Sequence, residues 1–458
     1  MRDLKLAAVI LSLGMLMAYA AEDGVARLPP MGWRSWNFFA CEVSQSLFER
    51  QIDALADRSR KVDGVPTSLA DLGFNTVGID DCWQDCLSPE SINGSYHNKK
   101  GEPIVDKKRF PDLRALSDYG ASRGISLGWY GNNCPETSGT GRSQKYCGEY
   151  GKLERDWPLA LHGDVAALLA ANFSGIKLDN PFCGAGGGVD GDMAKYYAEL
   201  HRQQTANKLS RQIVIENCHY DTSYPRWVDH PGGELACPMH LFRVSNDIKS
   251  NWQTIMTNAA ATAPFADAEH PMSRPGCWAY PDMLEVGVVG ENGKSEGGLS
   301  REEERTHLGL WEILSSPLTL SFDLTNATLM DELWPIITNP EALAVSQSWH
   351  GHPGSLADQD VDTAGKAWQV WSKPQENGGV AVLLISRALD MGSKLPPIDL
   401  SLRLSSYVDV TKGVPHIRDI WNRRDVDAKE VVDGVIHFQN VKAHDSILLR
   451  LTPAGLQA

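Results

Sequence analysis

Long apolar runs are missing from almost all of this 458-residue chain. The one extended run, Leu6 to Met17, falls short of the roughly 20 residues that cross a bilayer, and no other stretch qualifies as a span. With its charged start and the ending Ala18-Tyr19-Ala20, the run reads as a signal peptide over residues 1–20 that is removed on secretion. That places the mature chain outside the cell or in a lysosome-like or vacuolar compartment. A surplus of positive charge is also missing: the net charge is −15, which argues against nucleic acid as a partner, because that demands a basic surface. There is no glycine-rich phosphate loop after the first strand-like run. The glycine cluster "GAGGGVDG" at 184–191 follows the fourth run and lacks the G-x-G-x-x-G order, so a doubly wound nucleotide-binding sheet is disfavoured. Metal-like spacing is absent too, since "CWQDC" is followed by no second pair or histidine tandem that would complete a zinc set. Neither a metal nor a cofactor is expected.

What is present fits a secreted enzyme. Nine cysteines in such a chain imply disulfides with at least one thiol left over. Sequons at Asn93, Asn172 and Asn326 suit the same route. From residue 31 to 324, eight short strand-like runs alternate with helix-like segments. The runs are 31–39, 74–81, 125–132, 175–179, 213–217, 242–247, 277–284 and 317–324, and the segments 46–60 and 193–209 have helical periodicity. This pattern predicts a (β/α)8 barrel over residues 26–345. After it, short β-rich runs separated by Gly, Pro, Asn and Asp turns predict an antiparallel β-sandwich over 346–458.

Strand alternation locates the chemistry. In "GIKLD" the residues Lys177 and Asp179 share one face while Ile176 and Leu178 share the other. In "FRVSND" the same parity groups Arg243, Ser245 and Asp247, and the second strand ends in Asp80 and Asp81. Charge at the same end of three strands is more than a structural ion network calls for, and that end is where barrels carry active sites. Two inward carboxylates from different strands suggest glycoside hydrolysis, so the expected partner is a carbohydrate substrate. Trp33, Trp36, Trp83, Tyr130 and Trp278 could supply flat faces for a sugar or fill the core.

The motifs "MGWRSWNFFAC", "GIDDCW", "LGWYGNNC", "GIKLDNPFC", "FRVSNDIKSNW" and "CWAYPDML" resemble, in order, those of glycoside hydrolase family 27 in clan D, the α-galactosidases and α-N-acetylgalactosaminidases. The resemblance implies that Asp179 is the nucleophile, with Lys177 beside it, and that Asp247 is the general acid/base, with Arg243 contacting substrate. It further implies that Asp80 and Asp81 hold O4 and O6 of a galacto-configured sugar, that Trp36 and Tyr130 wall the pocket, and that Asp282 is a further sugar-side carboxylate. Lys177 should depress the pKa of Asp179, and burial with a nearby carboxylate should raise that of Asp247. A retaining mechanism would set the two carboxyls about 5–5.5 Å apart.

The sequence departs from the family pattern at four places, and in "LDNPFCG" Cys183 lies four residues after Asp179 rather than two, which lengthens that loop. His219 stands where α-galactosidases usually have a glutamate reading the sugar 2-hydroxyl, and it either binds that hydroxyl or caps the strand. Thr222 stands where α-galactosidases have a bulky residue, and Tyr280 where an aspartate is common. For the cysteines the resemblance implies the pairs Cys41–Cys82, Cys218–Cys237 and Cys134–Cys183, leaving Cys86, Cys147 and Cys277 unassigned. The expected activity is a secreted, exo-acting retaining α-galactosidase. An α-N-acetylgalactosaminidase, a β-L-arabinopyranosidase and a non-catalytic carbohydrate-binding barrel stand as alternatives, and a homodimer is compatible with the sequence.

Overall fold

The computed structural model describes residues 23–92, 95–132, 157–179, 188–218, 237, 239–289, 298–361, 367–392 and 394–456. The expected signal peptide, Asn93, Cys134, Cys147, Cys183, His219 and Thr222 lie outside these residues. Eight strands form the first sheet: β1 (Met31–Arg34), β2 (Phe74–Gly78), β3 (Ser126–Asn132), β4 (Gly175–Asp179), β5 (Val214–Cys218), β6 (Leu241–Arg243), β7 (Trp278–Tyr280) and β8 (Leu318–Leu320). They run in the order β8-β1-β2-β3-β4-β5-β6-β7, and every neighbouring pair is parallel. At the seam between β7 and β8 the Leu284 N–H donates to the Thr319 carbonyl at 2.9 Å. Each strand falls within one of the eight runs read from the sequence or overlaps it.

Between them lie α1 (Gln45–Ala56), α2 (Leu113–Ala121), α3 (Trp157–Ala170), α4 (Gly188–Ala206), α5 (Trp252–Ala260) and α6 (Arg301–Ile313), with α7 (Ala327–Ile337) and α8 (Pro340–Ser346) after the last strand. In α1 the buried positions Leu47, Phe48, Gln51, Ile52 and Leu55 form one stripe, and the Ser44 side chain caps its start by accepting the Leu47 N–H. This helix stops four residues before the end that periodicity suggests. Asp57 turns extended, and its carboxylate takes the Ser59 N–H at 2.9 Å, a local bond that competes with the helix.

Several strands are also shorter than their runs, β1, β6 and β7 among them. After β1 the chain turns into one helical turn, Trp36–Phe39. After β6 the Arg243 Nε–H donates to the Ser245 carbonyl at 3.0 Å, and the extended run ends before Asp247. After β7 Asp282 adopts φ 89°, a left-handed conformation that costs a non-glycine residue roughly 1–3 kcal/mol. It is held by the Met283 and Ile248 N–H groups, which donate to its carboxylate at 2.8 and 3.0 Å.

The C-terminal strands are β9 (Ser355–Val361), β10 (Ala367–Pro374), β11 (Val380–Ser386), β12 (Ile398–Arg403), β13 (His416–Asp419), β14 (Arg424–Asp425), β15 (Val431–Val432), β16 (Val435–Val441) and β17 (Ser446–Thr452). They pair antiparallel as a six-stranded sheet, β9-β10-β11-β17-β13-β14, and a three-stranded sheet, β12-β16-β15. One core cluster runs from the barrel into this sandwich and includes Leu308, Trp311 and Ile313 of α6 with Trp371, Leu383, Ile385 and Leu448. The helix can lie this close because position 309 is glycine: a Cβ there would meet Leu383 and Trp421 side chains at 3.0 Å. Arg305 pairs with Asp445 at 2.5 Å, and the Thr306 hydroxyl donates to the His444 carbonyl at 2.6 Å. A shared core makes the two parts one cooperative unit. Calorimetry should therefore show a single unfolding transition, and Leu383→Ala should lower it as a whole with a cost of about 2–5 kcal/mol; two separable transitions would contradict this.

Candidate active site

The C-terminal ends of the barrel strands gather a chain of charges in which each member is placed by its strand. Lys177, in the middle of β4, is 4% exposed between Ile176 and Leu178, and its Nζ donates to Asp80 Oδ2 at 2.9 Å. The same Asp80 oxygen lies 3.5 Å from Arg34 Nη1 at the end of β1. Arg34 Nη2 reaches Glu216 of β5 at 2.5 Å, and Glu216 accepts the Tyr280 hydroxyl of β7 at 2.6 Å. Asp179 accepts the Tyr130 hydroxyl at 3.1 Å, so β3 orients the carboxylate that ends β4. On the other side of the mouth, Arg243 Nη1 donates to the Cys218 sulfur at 3.0 Å and lies 3.2 Å from Asp282. Its Nη2 bonds Asp247.

Electrostatics divide these carboxyls into distinct states. Burial pushes Asp80 up, but the charges of Lys177 and Arg34 outweigh it and hold the carboxyl below its usual range. Asp81 gains less from the cations: burial, with repulsion from Asp80 and Asp179, raises it to about 7 against the pulls of the Cys82 N–H and of Lys177. Desolvation also pushes Asp247 up, but Arg243, by charge and by hydrogen bond, brings it below the ordinary value. This overturns the expectation of a raised Asp247. The Asp247 side chain is 88% exposed, so burial cannot do in the unliganded protein what the sequence reading asked of it.

The structure thus brings Asp80, Asp81, Tyr130, Lys177, Asp179, Arg243, Asp247 and Asp282 to one end of the barrel. Trp36 sits half-buried on the turn after β1, and His219 lies outside the described residues. The direct partner of Lys177 is Asp80, not Asp179. Arg34 and Glu216 were not singled out from the sequence, although the alternation that exposed Lys177 applies equally to "GWR" and "IVIEN". Three of the candidate platforms are core: Trp33, Trp83 and Trp278 are at most 1% exposed. Trp83 stacks on Trp129 at 4.6 Å, and the indole N–H groups of Trp33, Trp83 and Trp278 bond the carbonyls of Phe322, Tyr130 and Ala26.

The cysteines bear out one expected pair and overturn another. Cys41 and Cys82 form a disulfide, but Cys237 pairs with Cys277 and leaves Cys218 free and buried. Cys237 and Cys277 both precede their strands, at the N-terminal end of the barrel, whereas Cys218 ends β5 at the opposite face. Cys86 is also disulfide-bonded, and the Cys134–Cys183 pair lies outside the described residues. Among the described residues no group of His, Cys, Asp and Glu could hold a metal ion, and no helix is long and apolar enough to cross a membrane.

A parallel eight-stranded barrel with carboxylates and cations from several strands converging on its C-terminal face is an arrangement that many enzyme classes share, and comparison with known proteins makes the class specific. A family profile described as Alpha galactosidase A matches residues 28–348, and one described as Alpha galactosidase C-terminal beta sandwich domain matches residues 365–451. The chain belongs to the α-galactosidase A family of glycoside hydrolases. It is 28% identical over 434 residues to α-galactosidase 3 of Arabidopsis thaliana, covering 94% of this chain and 83% of that one. It is also 28% identical over 446 residues to the α-N-acetylgalactosaminidase of Gallus gallus, covering 95% and 93%. Its fold resembles that of α-galactosidase I from Mortierella vinacea, with TM-score 0.68 and 23% identity over 95% of this chain and 100% of the other. A β-L-arabinopyranosidase from Geobacillus stearothermophilus superposes with TM-score 0.71 at 18% identity, over 96% and 99%.

Two measurements check the site. A non-reducing peptide map should contain Cys41–Cys82 and Cys237–Cys277 bridges, with Cys218 alkylated only after denaturation; a Cys218–Cys237 peptide would contradict the geometry. The second is a pH profile of stability. A carboxyl raised from its usual value near 4 to about 7 adds stability that is full below pH ~4 and is lost as pH rises through 7. Tm should therefore fall from pH 5 to pH 8, and less steeply in Asp81→Asn than in the wild type.

Proposed function

We propose that the protein is a secreted or lysosomal, exo-acting retaining α-galactosidase in which Asp179 is the nucleophile and Asp247 the general acid/base. The observation that carries the reading is the pairing of a fixed carboxylate with an open one. Asp179 is oriented from the next strand by Tyr130 at 3.1 Å, while Asp247 stands exposed beside Arg243. The names of the relatives, mostly α-galactosidases, support the sugar, and the Asp80–Asp81 pair next to Lys177 suits the 4- and 6-hydroxyls of a terminal galactose.

In the first step the Asp179 carboxylate attacks the anomeric carbon while the bond to the leaving oxygen breaks, and Asp247 gives that oxygen its proton. In the second, Asp247 takes a proton from water, whose oxygen displaces Asp179, so the sugar leaves with its original configuration. Because Arg243 keeps Asp247 ionised in the free protein, bound sugar has to supply the desolvation that lets it take up a proton. Lys177 and Asp80 hold each other and so remain fixed while the ring distorts.

Aryl α-galactoside should be hydrolysed with α-galactose as the first-formed product by NMR, and Asp179→Asn should abolish turnover. Asp247→Asn should lower kcat by about 10²–10⁴-fold on alkyl galactosides. Hydrolysis of the aryl N-acetylgalactosaminide but not the galactoside would replace this reading with the α-N-acetylgalactosaminidase one, and no turnover of any glycoside would favour a binding protein. The pH dependence has a sign as well. Activity is lost on the alkaline side as Asp247 loses its proton, and that limb should lie at higher pH in kcat, which reports the loaded enzyme, than in kcat/KM, which reports the free one. Coincident limbs would contradict proton uptake on binding.

A further inference from the structure

Behind the mouth lies a carboxyl that the proposed mechanism does not use. Glu285, three residues after Asp282, is 2% exposed, and its Oε1 accepts the Asn37 side-chain N–H at 2.5 Å. Asn37 belongs to the helical turn that carries Trp36, and its backbone N–H is fixed by the Ser321 hydroxyl at 3.0 Å. The backbone of Glu285 is fixed in turn, because its N–H donates to His307 Nε2 of α6 at 2.9 Å. One turn further along α6, the Trp311 indole N–H holds the Asp282 carbonyl at 2.7 Å.

We propose that Glu285 is a positioning residue: through Asn37 it ties the turn bearing Trp36 to the segment bearing Asp282, and so sets the spacing of two walls of the sugar pocket. The proposal rests on the α-galactosidase reading of that pocket. Burial, reinforced by repulsion from Asp282 and opposed by the Asn37 bond, pushes the Glu285 carboxyl up to about 8. The other groups beside it are Asp282 on its own segment, His307 from α6, whose Nε2 holds its N–H, and the uncharged Asn37 from the turn. Burial drives His307 down to about 3, so its ring is neutral and offers no charge to stabilise an ionised Glu285. Below pH 8 the tie is a neutral acid accepting an amide N–H. Above it, a second negative charge enters the wall beside Asp282, and the two repel.

Steady-state kinetics on an aryl α-galactoside between pH 5 and 9, with Glu285→Ala and Glu285→Gln, test this. Glu285→Ala should raise KM about tenfold with kcat within twofold. Glu285→Gln, which keeps the shape and the neutral carbonyl acceptor, should restore the wild-type KM and should not show the rise in KM that the wild type shows above pH 8. An unchanged KM in Glu285→Ala, or a Glu285→Gln as impaired as Glu285→Ala, would overturn the proposal. If the wild type turned over no galactoside, the functional reading would fail, and the tie would be decided by melting temperature. A carboxyl raised to about 8 loses its stabilising contribution as pH rises through that value, so the wild type should lose Tm between pH 6 and 9 faster than Glu285→Gln. Parallel profiles would overturn it.

Discussion

Lys177 and Asp80 depend on each other in a way that fixes most of what surrounds them. A lysine between two buried aliphatic residues would shed its proton if left alone, and a carboxylate as buried as Asp80 would take one up. At 2.9 Å each makes the other's charge tenable. The pair cannot be satisfied by two strands alone, because Asp80 also faces Arg34, Arg34 binds Glu216, and Glu216 takes the Tyr280 hydroxyl. Five strands of the barrel are thereby held to one register at their functional end. Removing one member would strand its partner in a low-dielectric site, which is costlier than never having had the pair. The same arrangement uses up the available cations and leaves Asp81 as the carboxyl whose proton is not settled by a neighbour.

The two halves of the mouth are built differently. On the β3–β4 side, Tyr130, Lys177 and Asp80 are buried, Lys177 bonding Asp80 and Tyr130 bonding Asp179, so the proposed nucleophile is presented on a rigid surface. On the β6–β7 side, Arg243 is buried while Asp247 stands in solvent, joined to the site chiefly through that guanidinium. Preorganisation matters most where charge must be held against attack, and an exposed acid can be recharged from water between turnovers.

Much of this was legible from periodicity. All eight barrel strands fall on the eight runs, because short apolar stretches separated by helical patterns leave few alternatives to a barrel. The parity argument placed Lys177 correctly, since β4 stays extended through Asp179. Asp247 also reaches Arg243, as parity implied, but not on a strand: β6 ends at Arg243, whose side chain bonds the Ser245 carbonyl, a side-chain event that strand propensity does not encode. Arg34 and Glu216 are single charges in runs that otherwise read as core, and their sequence does not show that each finds a partner on another strand. Trp33, Trp83 and Trp278 could not be sorted from sequence: a tryptophan in the core and one lining a sugar pocket look the same until the N–H partner is known. The Cys218–Cys237 pairing came from likeness to a family, and it fails because the two residues sit at opposite ends of the barrel, a distance that proximity in sequence hides.

The second half of helix α6 has no solvent side. Leu308, Leu310, Trp311 and Ile313 are all fully buried, the first toward the barrel core and others toward a sandwich that closes over Gly309 at contact distance. That half of the helix is buried on every side and is stable only inside something. The C-terminal sandwich is therefore less an appendage than the outer half of the barrel's own wall. Proteolysis or gene truncation after residue 350 would yield a chain whose last full barrel helix is bare to water, a sticky fragment and not a smaller enzyme. Recombination within this family would be constrained accordingly: a barrel can exchange its sandwich only for one that presents the same hollow to this helix.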